Sequence, residues 1–291
     1  MIYLILQIVF SSLFGLMIKW IQSQNRSDLV TVGMINYVLA AVSLLVIALA
    51  RYAMFGLGNV ADHSAATWAM VTGLAMGTSY LLAYFFVNES IRTAGVSVTT
   101  VMATLSILFP ITMAAILWRE IPVASQWLGI DLAIVAIGMI VVKWPLSGFR
   151  LTSMSASMAL LFFFLLCGVN RLAQDAFKHL SAAEYRFAFL LAAFSCAGGL
   201  AGIVLLRRRK PIGGQEFVLG CILGWINVLQ TLLILKCLEL YPGFLVFTLT
   251  SAGTIVFTVI VSTLFLGETL SRRAWWGIGL AILALGLLYP R

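Results

Sequence analysis

Charged residues are scarce in this chain of 291 residues. Asp, Glu, Lys and Arg make up only 10% of it, and hydrophobic residues make up 62%. A soluble domain carries about 25% charged residues, so the composition excludes a soluble globular or disordered protein. The formal net charge of +8 does not indicate a nucleic-acid partner. Its densest run, Arg207–Lys210, ends a predicted helix instead of forming a basic surface.

Residues that build catalytic and metal centres are also few. The two histidines, His63 and His179, fall in predicted connectors, and the four cysteines stand singly inside apolar runs without CxxC or zinc-ligand spacing. No HExxH, GxSxG or paired-aspartate motif occurs. We therefore predict neither an enzyme nor a bound cofactor or metal.

Long apolar segments fill nearly the whole chain. A helix needs about 20 apolar residues to cross the roughly 30 Å hydrocarbon core of a bilayer. Ten segments of that size can be marked, and they are too long and too evenly apolar for the strands of a membrane barrel. They cover residues 2–22, 29–50, 65–88, 93–118, 122–142, 152–174, 185–206, 216–238, 241–266 and 273–290. The sequence thus predicts an all-α integral membrane protein with ten transmembrane helices.

One stretch of the chain occurs twice. Residues 120–138 return at 268–286, an offset of 148 residues, with nine of nineteen positions identical. An internal repeat of this kind indicates a duplicated architecture. We predict a first five-helix repeat at 1–146 and a second at 147–291, forming one membrane domain without a soluble domain.

Five helices in each repeat is an odd number. A unit with five crossings ends on the side opposite to its start, so its second copy must enter the membrane upside down. The copies are then inverted repeats, an arrangement typical of secondary transporters with substrate sites near the midplane. In the first two helices the offset becomes 152 residues, which makes Lys19 equivalent to Arg171.

Paired motifs connect the fourth and fifth helices of each repeat, and a basic residue opens helix 7. They read Trp118-Arg119-Glu120-Ile121-Pro122, Gln126-Trp127-Leu128-Gly129, Leu266-Gly267-Glu268-Thr269-Leu270, Trp275-Trp276-Gly277 and Arg186-Phe187. In these motifs, and over essentially its whole length, the chain resembles the EamA-type ten-helix group of the drug/metabolite transporter superfamily. The first repeat departs from the pattern, because Met34 stands where a basic residue opens the helix in the second.

This resemblance implies a ten-helix permease or exporter of small metabolites. We expect a secondary transporter that works by alternating access in the cytoplasmic membrane of a bacterium, as a monomer or a homodimer. Its partners are the bilayer and a small-molecule substrate, and a proton is a candidate coupling ion. The alternative is a flippase-like permease for a lipid-linked sugar, a drug or another amphiphile.

The orientation of the chain in the membrane has two interpretations. By the positive-inside rule the side that carries Arg207–Arg209 and Arg272–Arg273 is cytoplasmic, which places the N-terminus outside. The resemblance instead implies that both termini are inside. With an even number of helices the termini share one side in either case.

Polar residues inside a membrane helix are costly and usually face an interior cavity. Here they concentrate on helices 1, 3, 6 and 8, and we predict that these helices line the substrate pathway. The candidate substrate-binding residues are Gln7, Ser11, Lys19, Tyr80, Tyr84, Asn88, Asn170, Arg171, Gln174, Asn227, Gln230 and Lys236. Hydroxyl residues of helices 4 and 9 are expected to join them, namely Thr100, Thr104, Thr248, Ser251 and Thr254.

The charges among these candidates favour one class of solute. Lys19, Arg171 and Lys236 are basic, helix 1 carries no acid, and the only acid well inside a predicted span is Asp131. Basic groups and many amides suit an anionic or zwitterionic metabolite such as an amino acid or an organic acid. A cation/proton antiporter is correspondingly disfavoured.

Each candidate has a structural alternative. The three basic residues lie near predicted helix ends, from which long side chains extend to the membrane interface. Asn227 and Gln230 could join helices through hydrogen bonds. The two tyrosines of helix 3 could serve packing alone.

Other residues are assigned structural roles. Glu120 and Glu268 precede helices, where a carboxylate favours the positive end of the helix dipole. Pro110 is expected in the middle of helix 4, which it would kink. Glycines such as Gly73 and Gly77 permit close contact between helices.

Overall fold

A computed structural model of the protein describes residues 1–24, 28–55, 62–94, 99, 102–103, 105–141, 154–209, 211–266 and 272–288. Within these ranges the regular structure is helical and contains no strand. The α-helices whose bounds are described are α1 (Ile2–Gln24), α2 (Leu29–Phe55), α3 (His63–Ala94), α4 (Leu108–Leu117), α5 (Ala124–Val141), α6 (Met154–Leu180), α7 (Arg186–Arg208), α8 (Gly214–Leu240), α9 (Gly243–Leu266) and α10 (Arg272–Leu288). A short 3-10 turn, Ala183–Tyr185, precedes α7.

Six of the described helices are long and apolar enough to cross a bilayer. Their spans are Leu29–Ala50, His63–Val87, Ser157–Leu180, Ala183–Arg208, Gly214–Leu240 and Gly243–Val261. Shorter apolar helices cover Ile2–Ile18, Leu108–Leu117 and Ala124–Ile140. By length and composition, these spans are compatible with a multi-pass integral membrane protein.

The boundary of α6 differs from the sequence prediction. The predicted segment ended at residue 174, but the helix continues to Leu180 and includes a wholly buried acid, Asp175. Asp131, by contrast, is exposed on α5. The prediction that Asp131 is the only acid well inside a span was therefore wrong. A segment marked by hydropathy ends where a charged residue begins to lower the average. The charge of Asp175 does not end the helix, because neighbouring helices cover this residue.

The helices of residues 1–141 pack mainly against those of residues 154–288. The leading pairs are α1 with α8 and α9, α2 with α7 and α8, α3 with α6 and α7, α4 with α6, and α5 with α10. If α1–α5 are exchanged in order with α6–α10, so that α1 and α6 trade places and so on, the same set of pairs results. The two stretches are thus interlocked along their lengths.

Contacts between helix ends fall into two groups, which we call the first rim and the second rim. The first rim joins the Met1 amine to the Tyr241 hydroxyl, Asp62 N–H to the Tyr185 hydroxyl, Ser181 to the Ala65 carbonyl, and Lys178 to Glu120. The second rim joins Asp28 to Arg208 and to Glu216. No described hydrogen bond links one rim to the other.

Helices α3 and α7 meet at two glycines. A Cβ atom added to Gly73 would lie 2.5 Å from the Phe189 carbonyl oxygen, and one added to Gly77 would overlap the Ala193 carbonyl oxygen. The predicted role of these glycines in close helix contact is confirmed. Small residues decide such contacts, because lipid provides no hydrophobic force between helices.

The hydrophobic interior follows from these pairings. The largest cluster of buried side chains includes Phe189 and Phe194 of α7 with Met34 of α2 and Met76 of α3. A separate cluster joins α5 and α10, the helices of the repeated segment, through residues that include Ala133 and Ala284. The duplicated segment therefore packs against its own copy.

The fourth predicted helix is interrupted. Ser106 and Ile107 form a turn, and α4 starts only at Leu108. Pro110 lies in the first turn of α4, not in the middle of a continuous helix as predicted. The proline ring would clash with the carbonyl four residues earlier, that of Ser106, and this explains why the helix breaks there.

We predict that Gly77→Ala destabilises the protein and that Gly199→Ala does not. The added methyl group at Gly77 has to push the Ala193 backbone away, and overpacking of this kind costs about 1–3 kcal/mol. Gly199 has open space around its Cβ position, so alanine there should be neutral or slightly stabilising. Thermal unfolding in detergent measures both. Equal midpoints for the two variants would contradict the close α3–α7 contact.

Candidate functional site

A cavity of about 340 Å³ lies where helices of both stretches meet. Its walls come from α1, α3, α6, α8 and α9, together with Ala103 of the interrupted segment. The lining residues are Gln7, Ser11, Phe14, Tyr80, Ala103, Asn170, Arg171, Gln174, Gln230, Thr231, Ile234, Phe247, Thr250, Ser251, Thr254 and Ile255. The volume is at the lower end of the roughly 300–1,000 Å³ range of ligand pockets.

Seven of the twelve candidate residues line this cavity. They are Gln7, Ser11, Tyr80, Asn170, Arg171, Gln174 and Gln230. Ser251 and Thr254 of α9 also line it, whereas Thr248 donates a hydrogen bond to the Phe244 carbonyl within its own helix. The structure thus brings together polar residues that are far apart in the sequence. That they bind a substrate stays a prediction.

Arg171 is held inside the protein by the interrupted helix. Its guanidinium donates hydrogen bonds to the Ala103 carbonyl oxygen at 3.1 Å and to Ser106 Oγ at 2.8 Å. Because α6 continues to Leu180, Arg171 is more than two turns from the helix end. Its contacts therefore point inward, away from the interface that the snorkelling alternative requires.

The cavity wall carries one kind of charge. Among the described residues that line it, Arg171 is the only charged one, and no described carboxylate forms an ion pair with the guanidinium. A buried charge is stable only with polar partners or a counter-charge. The described partners of Arg171 are neutral, so they do not cancel its positive charge.

Amide groups beside Arg171 are only partly paired. Gln174 Nε2 donates to Asn170 Oδ1 at 3.2 Å, which fixes the orientation of both amides. Asn170 Nδ2, Gln174 Oε1 and Gln7 Oε1 are then buried without a hydrogen-bond partner. Most buried polar atoms are paired, so three residues of the cavity wall each contain a polar atom whose hydrogen-bonding capacity is unused.

Three candidates do not line the cavity. Tyr84 donates its hydroxyl hydrogen to the Leu29 carbonyl oxygen at 2.7 Å. Asn227 lies within a chain of amides, because Gln230 donates to it at 3.0 Å and it donates to Asn36 at 3.3 Å. These bonds connect α2, α3 and α8. Hydrogen bonds between helices are the structural alternative considered for Asn227, whereas packing is the one considered for Tyr84.

Lys236 has a partner on its own helix. Its ammonium lies 2.9 Å from the Glu239 carboxylate, to which Arg186 of α7 is also bonded. The side chains of Lys19 and Asn88 lie outside the described part of the protein, as do Thr100 and Thr104.

A second polar cluster was not predicted from the sequence. Glu120 was expected to favour the dipole of the helix that follows it, α5, but its Oε2 accepts the backbone N–H of Gly243, at the start of α9. Its Oε1 accepts a hydrogen bond from Lys178 at 2.6 Å. Asp175 and His179 of α6 lie beside it, and donor atoms of Glu120, Asp175 and His179 all fall within 4.8 Å of one another, a set that could hold a metal ion. A signal existed in the sequence, because residues 175 and 179 are one helical turn apart.

Known proteins resemble the chain to different degrees. No protein-family model matches it. A protein of Haemophilus influenzae, named only as an uncharacterized protein, is 24% identical over 219 residues, which are 74% of each chain. A crystal structure with 14% sequence identity superposes with a TM-score of 0.73 and covers 99% of this chain and 96% of the other. At that identity the likeness extends to the fold alone.

We predict that Tyr84→Phe lowers stability without altering ligand binding in the cavity. The variant loses the hydrogen bond to the Leu29 carbonyl, which contributes about 0.5–1.5 kcal/mol. Tyr3→Phe, at an exposed position, is the matched control and should unfold like the wild type. A weaker ligand affinity in Tyr84→Phe at unchanged unfolding temperature would instead assign this tyrosine to the cavity.

Proposed function

We propose that the protein is a secondary transporter of a small zwitterionic or anionic metabolite, such as an amino acid or an organic acid. The observation that carries the proposal is the cavity between the two stretches of the chain, where Arg171 is the one charged residue among the described lining. We further propose that the chain is a member of the EamA-type drug/metabolite transporters, as its repeated motifs suggest. A bacterial cytoplasmic membrane is the proposed location.

The proposed architecture is ten crossings in two inverted repeats. The helix pairs support it, because an exchange of the two stretches returns the same pairs. The rims support it as well. If successive helices cross in alternating directions, the ends that meet in each rim lie on one face of the bilayer. A substrate site between inverted repeats can open to either side as one repeat moves against the other.

The chemistry of the lining favours a zwitterion. The Arg171 guanidinium and Asn170 Nδ2 are donors that suit a carboxylate. Gln7 Oε1 and Gln174 Oε1 are acceptors that suit an ammonium group. Phe14, Tyr80 and Phe247 supply apolar walls, which suit the hydrocarbon part of such a metabolite.

The size of the cavity favours this substrate over an amphiphile. A pocket of about 340 Å³ is small among ligand sites. A lipid-linked sugar would need a larger volume and a path for its acyl chains. We therefore prefer transport of a small solute to the flippase-like alternative.

We predict that Arg171→Gln sharply reduces transport. The substitution removes a charge-assisted hydrogen bond to the carboxylate, which contributes about 1.5–3 kcal/mol, equivalent to a roughly 10–150-fold loss of affinity. Purified protein in liposomes, screened for counterflow of amino acids, organic acids and nucleotide-linked sugars with and without a pH gradient, measures the loss.

The matched control is Arg207→Gln, because Arg207 is exposed at the end of α7. It should transport like the wild type. Full transport in a variant with both Lys19 and Arg171 reversed in charge would refute the role of the basic residues. A preference for cationic solutes in the wild type would refute the proposed substrate class.

A further inference from the structure

The cluster around Asp175 combines three metal-binding groups from two parts of the chain. Asp175 and His179 lie one turn apart on α6, and Glu120 lies between α4 and α5. Their donor atoms fall within 4.8 Å of one another. The cluster is at the first rim and separate from the cavity, whose lining includes none of the three.

The buried carboxylate of Asp175 is the main evidence for a bound ligand. Its side chain is 0% exposed, and neither carboxylate oxygen has a hydrogen-bond partner. His179 Nε2 is also buried without a hydrogen-bond partner, although it lies 3.3 Å from Glu120 Oε1. An unpaired buried carboxylate is costly. A cation among these atoms would satisfy all of them together.

The surrounding residues hold the side chains of Glu120, Asp175 and His179 in position. Gly243 leaves the space that the Asp175 carboxylate occupies, because a Cβ atom there would overlap its Oδ1. The Gly243 N–H binds Glu120 Oε2 at 3.1 Å, so Glu120 Oε1 faces the cluster. Trp118 stacks on the His179 ring, with centroids 4.3 Å apart and planes 8° from parallel. Supporting contacts of this kind orient metal ligands in proteins.

We propose that Glu120, Asp175 and His179 form a binding site for a divalent transition-metal ion of the Zn²⁺ type. An imidazole nitrogen with two carboxylate oxygens suits zinc and its neighbours, whereas Mg²⁺ and Ca²⁺ prefer oxygen ligands alone. Zinc holds such donors at about 2.0–2.2 Å, so the three side chains draw together on binding. His179 and Glu120 are partly exposed, at 19% and 18%, which leaves a path for the ion and room for a water ligand.

Lys178 competes with the metal. Its ammonium is 2.6 Å from Glu120 Oε1, the oxygen that the ion would use. The lysine side chain is 21% exposed and long enough to turn outward when a metal arrives. Removing this positive charge should therefore strengthen binding, a change opposite in sign to the loss of a ligand.

The test uses the full chain in detergent, freed of metal with a chelator, and ZnCl2 as the probe. Binding is followed by the change in tryptophan fluorescence, to which Trp118 on the His179 ring contributes, and by the shift in unfolding temperature. We expect one Zn²⁺ per chain. Asp175→Asn and His179→Gln should weaken binding by at least about 10–100-fold, the loss that changes in supporting residues alone can cause. Lys178→Met should tighten it about tenfold.

Matched controls exist for both ligand variants. Asp131→Asn and His63→Gln alter an exposed acid and the other histidine of the chain, and both should bind Zn²⁺ like the wild type. If Asp175→Asn fails to fold, as judged by circular dichroism, His179→Gln and Lys178→Met decide the question. Unchanged affinity in all three variants, absence of binding in both the wild type and Lys178→Met, or equal affinity for MgCl2 would overturn the proposal.

Discussion

The contact between α3 and α7 at Gly73 and Gly77 fixes much of the architecture. Lipid is as apolar as the helices it surrounds, so helices associate in a membrane through close packing and hydrogen bonds. At these glycines α3 approaches α7 so closely that no side chain fits between them, and α3 also packs along α6. The equivalent of α3 in the second stretch is α8, which packs in the same way against α2 and α1. Each of the four polar-faced helices is thus held by helices of the opposite stretch, and the cavity lies among them.

The electrostatics of the cavity depend on this arrangement. Arg171 keeps its charge in the interior because the break at Ser106–Ile107 supplies the Ala103 carbonyl and the Ser106 hydroxyl as acceptors. Neutral partners of this kind bind the guanidinium without cancelling its charge. The segment that contains this break also contributes Ala103 to the cavity wall. The interrupted segment and Arg171 therefore form one part of the cavity wall.

The sequence predicted the all-helical structure and the polar faces of helices 1 and 6, because both follow from local periodicity. Gln7, Ser11, Asn170 and Gln174 could be assigned to the cavity from their spacing on helices 1 and 6. The sequence could not separate Gln230, which lines the cavity, from Asn227 one turn away. Nor could it bring Glu120 next to Asp175, because that contact depends on how α4 packs against α6 and on a helix end that hydropathy placed too early. Long-range packing decided each of these cases.

We propose that two copies of one five-helix unit are inserted in opposite directions around a shared cavity. Ala124 and Arg272 test it directly, since they are equivalent positions in the repeat and are exposed at the starts of α5 and α10. With the native cysteines replaced, a single cysteine at each position can be labelled by a membrane-impermeant reagent in oriented vesicles. The account predicts that the two positions react from opposite faces of the membrane. Reaction of both from the same face would contradict it.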